Sequence, residues 1–513
     1  MMLPQVFSTA STLMPGMLML AALLPPKVPA VPTTRLWQAF AALSGVALAF
    51  ALTNAFTATI VLNMQPWLRP TRLGIGLAVL VQFLGTVIGV FSSRYLQGEA
   101  GQRRYVAALA GVLSAVHLLL LADHWLVLVV AWAVVGTALQ QLLCFYPDRP
   151  FAQLAAHKKR IADRAANILL VGAGALIWTE VGSGSFTDLW THLDRQGMST
   201  SLQLGAVCLA LAVILRTALL PAHGWLIQVM EAPTPVSALL HAGVVNLGGY
   251  VLIRFAPLLG QAMPARALLL VFGLGTAVLA GLVMLTRISI KVQLAWSTVA
   301  QMGFMVLECG LGLYQLALLH LIGHSLYKAH AFLSASGTVR QTRLKRMQGL
   351  SSTQPVSLFT APVLSLAAIM LVQWLAKTDA WPWWWTGVLA LAWAPLFWLP
   401  TQTGGIRVAD WLLGISGFCM TALLTAAALL WHQGSMGVTN DPDLVAGLVA
   451  LAGMVLMYLG LVTLQARPSL LAAWRCWSYA GFYIDERYTR IALKFWPTRW
   501  ANTASTAFPP ATP

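Results

Sequence analysis

The sequence predicts an all-α polytopic membrane protein of about fifteen transmembrane helices, and three observations carry that prediction. Of 513 residues, 58% are hydrophobic and only 9% charged, too apolar for the several soluble domains that such a length would otherwise imply. Apolar runs long enough to cross a bilayer recur at residues 7–24, 36–56, 73–92, 105–121, 125–145, 166–180, 203–220, 233–257, 267–286, 292–312, 316–338, 357–376, 385–400, 410–431 and 444–465. With the N-terminus outside, about 23 of the 31 Lys+Arg fall on the opposite side of these spans, about 5 on the same side and 3 within them. That bias puts the C-terminus in the cytoplasm. Residues 1–465 then form the membrane domain and 466–513 a basic cytoplasmic tail.

The run at 7–24 has no basic residue before it and is followed by PPKVP rather than a small-residue cleavage site, so it reads as a first span and not a signal peptide. Asp123 and His124 make a short turn between two spans and read as a solvated loop. The basic clusters HKKR (157–160) and RLKR (343–346), with the tail from Arg467, account for most of the positive side. A net charge of +16 would suggest nucleic acid in a soluble protein; distributed in this way it sets orientation, and no nucleic-acid partner is expected. Arg343, Lys345 and Arg346 suit either anionic membrane lipid or a protein.

Residues 214–253, ILRTALLPAHGWLIQVMEAPTPVSALLHAGVVNLGGYVLI, break the pattern of plain spans. Pro221, Pro233 and Pro235 cannot continue an ordinary helix, and Glu231 sits just before APTP. The backbone groups freed by such a break need partners, and interrupted helices in a bundle recur at ion sites. His241 follows within the next span. Further on, Glu308 in AQMGFMVLECGLG is the acid placed deepest in a span, while Lys291 and Arg254 lie near helix ends, where snorkelling explains them.

In HLIGHSLYKAHAFL, residues 320–333, His320, His324 and Lys328 follow at steps of four and so share one helix face, with His330 off it. A charged group at the bilayer centre costs about 2.5–3.5 kcal/mol on insertion scales, so such residues usually face protein or water. A single buried histidine most simply bonds a neighbouring helix. Three titratable groups in register favour a proton relay instead, because imidazole titrates near neutrality and burial brings a lysine towards it. Glu308 pairs with Lys328 or a histidine in either reading.

WPWWW at 381–385 suits an interfacial belt or plain packing. Cys144, Cys208, Cys309, Cys419 and Cys476 lack paired or metal-like spacing and are expected as small buried residues. No Walker loop, Rossmann glycine pattern or HExxH occurs, so nucleotide-driven pumping, metal hydrolysis and a cofactor in this chain have no sequence support.

HGWLIQVMEAPTPVSALLHAGVVNLGGYVLI, LAWSTVAQMGF (294–304) and LHLIGHSLYKAHAFLSA (319–335) closely resemble the proton-conducting, antiporter-like subunits shared by respiratory complex I and Mrp-type cation/proton antiporters, most specifically over 203–338. The resemblance implies two inverted five-helix repeats, each with a discontinuous helix, and matches Lys328 to the central proton-path lysine, His320 and His324 to the polar residues leading to it, and His241 to the histidine after the first broken helix. Arg216 stands where the family usually has a lysine, and Ala133 where its partner acid is expected. Arginine does not readily exchange its proton. The first half-channel is therefore expected to act as a fixed positive site. SYAGFYIDERYTRIALKFWP (478–497) resembles the tail of the largest such subunit, without room for its long lateral helix. The whole looks most like the membrane subunit of DAB-type dissolved-inorganic-carbon transporters of the bacterial inner membrane. That likeness implies a large cytoplasmic zinc partner related to β-carbonic anhydrases, with zinc in the partner, and proton flow energising CO2 hydration there. The alternatives are a proton- or sodium-translocating subunit of a respiratory or Mrp-type complex, and a non-conducting scaffold.

Overall fold

Residues 2–57, 66–335, 353–378, 380–401, 408–434, 436–467 and 469–498 are described by a computed structural model. Arg343, Lys345 and Arg346 lie outside the described residues.

Every regular element described is helical, as lipid requires of chains whose backbone bonds must close within the segment. The helices are α1 (Met2–Ala21), α2 (Thr33–Thr57), α3 (Arg72–Tyr95), α4 (Gln102–Leu121), α5 (Trp125–Leu143), α6 (Pro150–Val181), α7 (Phe186–Gln196), α8 (Thr200–Arg216), α9 (Gly224–Gln228), α10 (Thr234–Ala242), α11 (Leu247–Arg254), α12 (Ala256–Gln261), α13 (Met263–Leu285), α14 (Ile290–Gly310) and α15 (Tyr314–Leu333). They continue with α16 (Pro355–Ala376), α17 (Trp383–Trp393), α18 (Val408–Gln433), α19 (Leu444–Ala466), α20 (Ala472–Tyr479) and α21 (Ile484–Phe495). Side chains satisfy the orphan amides at several starts: Thr71 accepts from Gly74, Ser199 from Leu202 and Asp443 from Ala446. Pro150 opens α6 where its missing N–H costs nothing.

A helix stands at each of the fifteen expected positions, and among the described residues ten helical stretches are long and apolar enough to cross a membrane, α10 and α11 with the turn between them counting as one. The apolar α8 is shorter, at 17 residues. Two departures from the sequence reading bear on the polar residues. First, α6 begins at Pro150, not near 166, so HKKR is helical and not a loop; Lys158 and Lys159 are buried. Second, the expected span 233–257 is interrupted again at Gly243, where a 3-10 turn (Val244–Asn246) separates α10 from α11. The prolines sit where their chemistry demands: Pro221 between α8 and α9, Pro233 capping α10 and Pro235 in its first turn.

The chain divides into two compact units. The first holds the helices up to residue 268, residues 321–333 of α15, and α21. Here α6 packs along α8 and α5, with α9 and α21 also against it. Asp485 of α21 receives Lys158 Nζ at 2.7 Å and lies against Gly224 of α9, in the space where a Cβ would begin. The second unit holds residues 269–320 and 334–482. In it α13 and α14 meet at Gly273 and Gly303, where an added Cβ would come within 2.6 Å of the opposite backbone. Its core gathers around Trp381, Trp384 and Trp385, all buried, so packing accounts for most of WPWWW; Trp383 is exposed. The cysteine expectation holds for Cys309 but not for Cys419 and Cys476, which are exposed on the protein surface.

Candidate proton site

The turn at Gly243 frees the end of α10 from the regular ladder and puts His241 in its last turn, fully buried. The imidazole stacks on Phe332 of α15 with ring centroids 4.5 Å apart, and neither ring nitrogen has a hydrogen-bond partner among the described residues. Asn246, at the end of the 3-10 turn, donates to Ser325 Oγ at 2.7 Å and back to the carbonyl of Ala242 at 3.0 Å. The interrupted helix is thereby fastened to α15 by a polar bond and a ring stack. Such bonds are worth about 0.6 kcal/mol each in a membrane, so their main effect is to fix geometry.

On α15 itself Lys328 is 1% exposed and interacts electrostatically with His241. His324, one turn earlier on the same face, is also buried, and His330 is exposed. An apolar cavity of about 40 Å³ is lined by Leu77, Leu113, Val116 and Leu239 and reaches the Asn246–Ser325 bond that ties the interrupted helix to α15. A site of this kind, with a lysine amine and two imidazoles held out of water, can take up and release a proton without exposing charge to lipid.

In the second unit, Glu308 of α14 is 4% exposed and receives His320 Nδ1 at 2.8 Å. Of the two pairings open for Glu308, the histidine is the one formed. Glu231, in contrast, is half-exposed: its carboxylate lies 3.7 Å from Arg149, whose guanidinium donates to its carbonyl at 2.8 Å. An ion pair so exposed contributes little.

Arg216 ends α8, where it donates to the carbonyl of Trp132 at 2.9 Å and to Asn167 Oδ1 of α6, and its guanidinium lies 4.6 Å from the Trp132 ring. Ala133 carries no acid, but Asp163 of α6 interacts electrostatically with Arg216 and is ion-paired with Lys159.

Two polar clusters escaped the sequence reading. Asp123 is not solvated: its carboxylate has no exposed surface and takes Arg254 at 3.0 Å and the Thr187 hydroxyl at 2.7 Å. Within α2–α4, His117 Nε2 meets Gln82 Oε1 at 2.9 Å, and Gln82 Nε2 donates to Ser44 Oγ at 2.8 Å. The only signal in the sequence was the presence of polar residues inside or beside predicted spans.

A family model described as NADH:quinone oxidoreductase/Mrp antiporter, TM, matches residues 122–388. The chain is 38% identical over 443 residues to a probable inorganic carbon transporter subunit DabB of Hydrogenovibrio crunogenus, covering 84% of each. It is 35% identical over 523 residues to a probable inorganic carbon transporter subunit DabB2 of Halothiobacillus neapolitanus, covering 95% of this chain and 94% of that one. Among solved structures, one of an Mrp complex from Dietzia sp. DQ12-45-1b superposes with a TM-score of 0.59 at 22% identity, over 99% of this chain and 58% of the other, a likeness of fold. With its helical spans, its buried Lys328 and these relatives, the chain belongs to the antiporter-like membrane subunits of the NADH:quinone oxidoreductase/Mrp antiporter family, a class of multi-pass membrane proteins.

Proposed function

We propose that this protein is the proton-conducting membrane subunit of a dissolved-inorganic-carbon uptake complex in a bacterial inner membrane. The observation that carries the conducting role is the burial of Lys328 on α15, with His324 and His320 one and two turns before it and His241 beside it. Successive groups on this face rise about 6 Å apart, a separation that bridging water or side-chain motion can close. Protons enter from outside, pass along this face and leave towards the cytoplasm. The similarity to DabB subunits over 84% of the chain supports carbon as the cargo.

In this reading the chain has about fifteen spans with inverted five-helix repeats, residues 1–465 lie in the membrane, and 466–513 face the cytoplasm. A large zinc protein related to β-carbonic anhydrases binds there and hydrates CO2 to bicarbonate, with proton flow giving the reaction its direction. The chemistry is the partner's. This chain supplies the coupling. The alternative within the same family is ion translocation with no carbon cargo.

The test is carbon uptake by cells lacking other bicarbonate transporters that express this chain with its zinc partner, with and without a protonophore. Uptake that needs both proteins, collapses with the protonophore and is lost in membrane-inserted Lys328→Ala supports the proposal. Proton flux without carbon uptake leaves the alternative standing, and uptake unaffected by Lys328→Ala removes the relay.

A further inference from the structure

Lys159 and Asp163 are one turn apart on α6 and form an ion pair in which the lysine is 3% exposed. The pair faces α5 at Gly136, where an added Cβ would meet Asp163 Oδ2 at 2.8 Å and Lys159 Nζ at 3.8 Å. The absent side chain lets both groups lie against α5. Trp225 of α9 closes another side, its ring centroid 5.7 Å from Lys159 Nζ. One more turn along α6, Asn167 holds Arg216 of α8.

Among the described residues, the charges around this pair do not balance. Lys159 and Arg216 both interact with the single carboxylate of Asp163, while Arg216 donates its hydrogen bonds to neutral oxygens, those of Trp132 and Asn167. The neighbouring Lys158 has its own acid, Asp485 of α21, and Glu231 beyond α9 pairs with Arg149. Arg160 and Arg164 on α6 are exposed and lie outside this balance, and Ala133, Gly136 and Gln140 of α5 bring no charge to it. A surplus positive charge in a buried site is costly. Guanidinium keeps its proton under all ordinary conditions, whereas an amine can give one up. Lys159 is therefore the group able to relieve the surplus.

We propose that Lys159 and Asp163 form a second proton-transfer site, separate from the one at Lys328, in which Arg216 is a fixed charge that drives the lysine to release its proton. Within the pair the proton passes from Lys159 Nζ to an Asp163 oxygen along their hydrogen bond, leaving a neutral amine and a carboxylic acid, and returns by the reverse step. A proton arriving from water on Asp163 leaves Lys159 and Arg216 facing no anion, so the amine gives its proton to a second water molecule; the acid's proton then passes to the neutral amine along the hydrogen bond, which restores the ion pair. The inference rests on the proton-conducting reading above and adds a site to it. It keeps Arg216 as the fixed positive site expected from the sequence and adds a titratable pair beside it.

The test is proton flux into proteoliposomes carrying the full-length chain in complex with its partner, read by an internal pH-sensitive dye under an imposed potential. Lys159→Arg is the informative variant, since it preserves the ion pair and holds its proton. Loss of most of the flux in Lys159→Arg, with thermal unfolding and elution unchanged from wild type, is the expected result; a merely structural ion pair would leave flux intact. If wild type conducts and Lys328→Ala does not, yet Lys159→Arg conducts like wild type, this inference alone is overturned. If wild type conducts nothing, the conducting function falls and takes this site with it. Should Lys159→Arg fail to insert, Asp163→Glu and Asp163→Asn decide the matter: flux kept by the acid and lost with the amide supports the site, and flux kept by both overturns it.

Discussion

Arg254 donates to Asp123 Oδ1 at 3.0 Å, joining the end of α11 to a fully buried carboxylate 131 residues earlier in the chain. Removing one partner of a buried pair strands the other, at a cost on the order of 3 kcal/mol. Asp123→Ala is expected to lower the thermal unfolding temperature of the detergent-solubilised protein clearly, and Asp123→Asn less, because the amide can still accept from Thr187 and Arg254.

The same pair has a pH signature. Burial raises the Asp123 pKa above its ordinary value, against the opposing pull of the Thr187 hydroxyl and the Arg254 guanidinium. A raised folded-state pKa means that the folded chain holds this proton more tightly than the unfolded chain. The contribution of Asp123 is thus full below the ordinary carboxylate value and falls as pH climbs through the raised one. Unfolding curves of wild type and Asp123→Asn, taken from about pH 4 to 7, should diverge in that direction; parallel curves would show that Asp123 does not titrate differently on folding.

His241 separates packing from proton chemistry. His241→Phe keeps an aromatic ring against Phe332, an arrangement worth about 0.5–1.5 kcal/mol beyond burial, but removes both nitrogens. Proton flux in proteoliposomes is expected to fall while the unfolding temperature holds. Unchanged flux would assign His241 to packing alone.

Glu308 offers a graded series in the second unit. Its bond to His320 is charge-assisted if the histidine is protonated, and Glu308→Gln keeps an acceptor while removing the charge. Flux should drop in Glu308→Gln with little loss of stability, and Glu308→Ala should lose both. A Glu308→Gln protein that conducts normally would confine this residue to helix packing.

The last described helix, α21, can be tested apart from transport. Lys158 is held by Asp485 Oδ1 and Oδ2 at 2.7 and 3.0 Å and by Thr489 Oγ1 at 3.0 Å, and Gln228 also reaches Asp485 at 3.3 Å. Asp485→Ala leaves a buried ammonium without its anion, so α21 is expected to exchange its amide hydrogens faster than in wild type. Equal exchange would mean that α21 is held by apolar contacts.

The parts legible from sequence were those with a local signal. The step of four from His320 to Lys328 needs only helical geometry, and α15 carries it; the prolines at 221, 233 and 235 announce a break that cannot be elsewhere. Gly243 was illegible because a glycine inside an apolar run has no distinctive neighbours. Asp163 and Lys159 were missed for a different reason: the hydrophobic run defining a span begins at 166, whereas the helix starts at Pro150, its first half held by buried ion pairs together with small apolar side chains such as Ala155, Ala156 and Ala162. Asp123 failed likewise, since its partner Arg254 is distant in sequence and nothing local marks the two as a pair.

The carboxylate of Asp485 occupies the volume in which a side chain at position 224 would start. These two positions, far apart in the chain, therefore share one small allotment of space, and a side chain at 224 must displace the Asp485 carboxylate from its place beside Lys158. Across relatives, residue 224 should remain glycine wherever 485 is acidic, and a larger residue at 224 should coincide with a shorter one at 485.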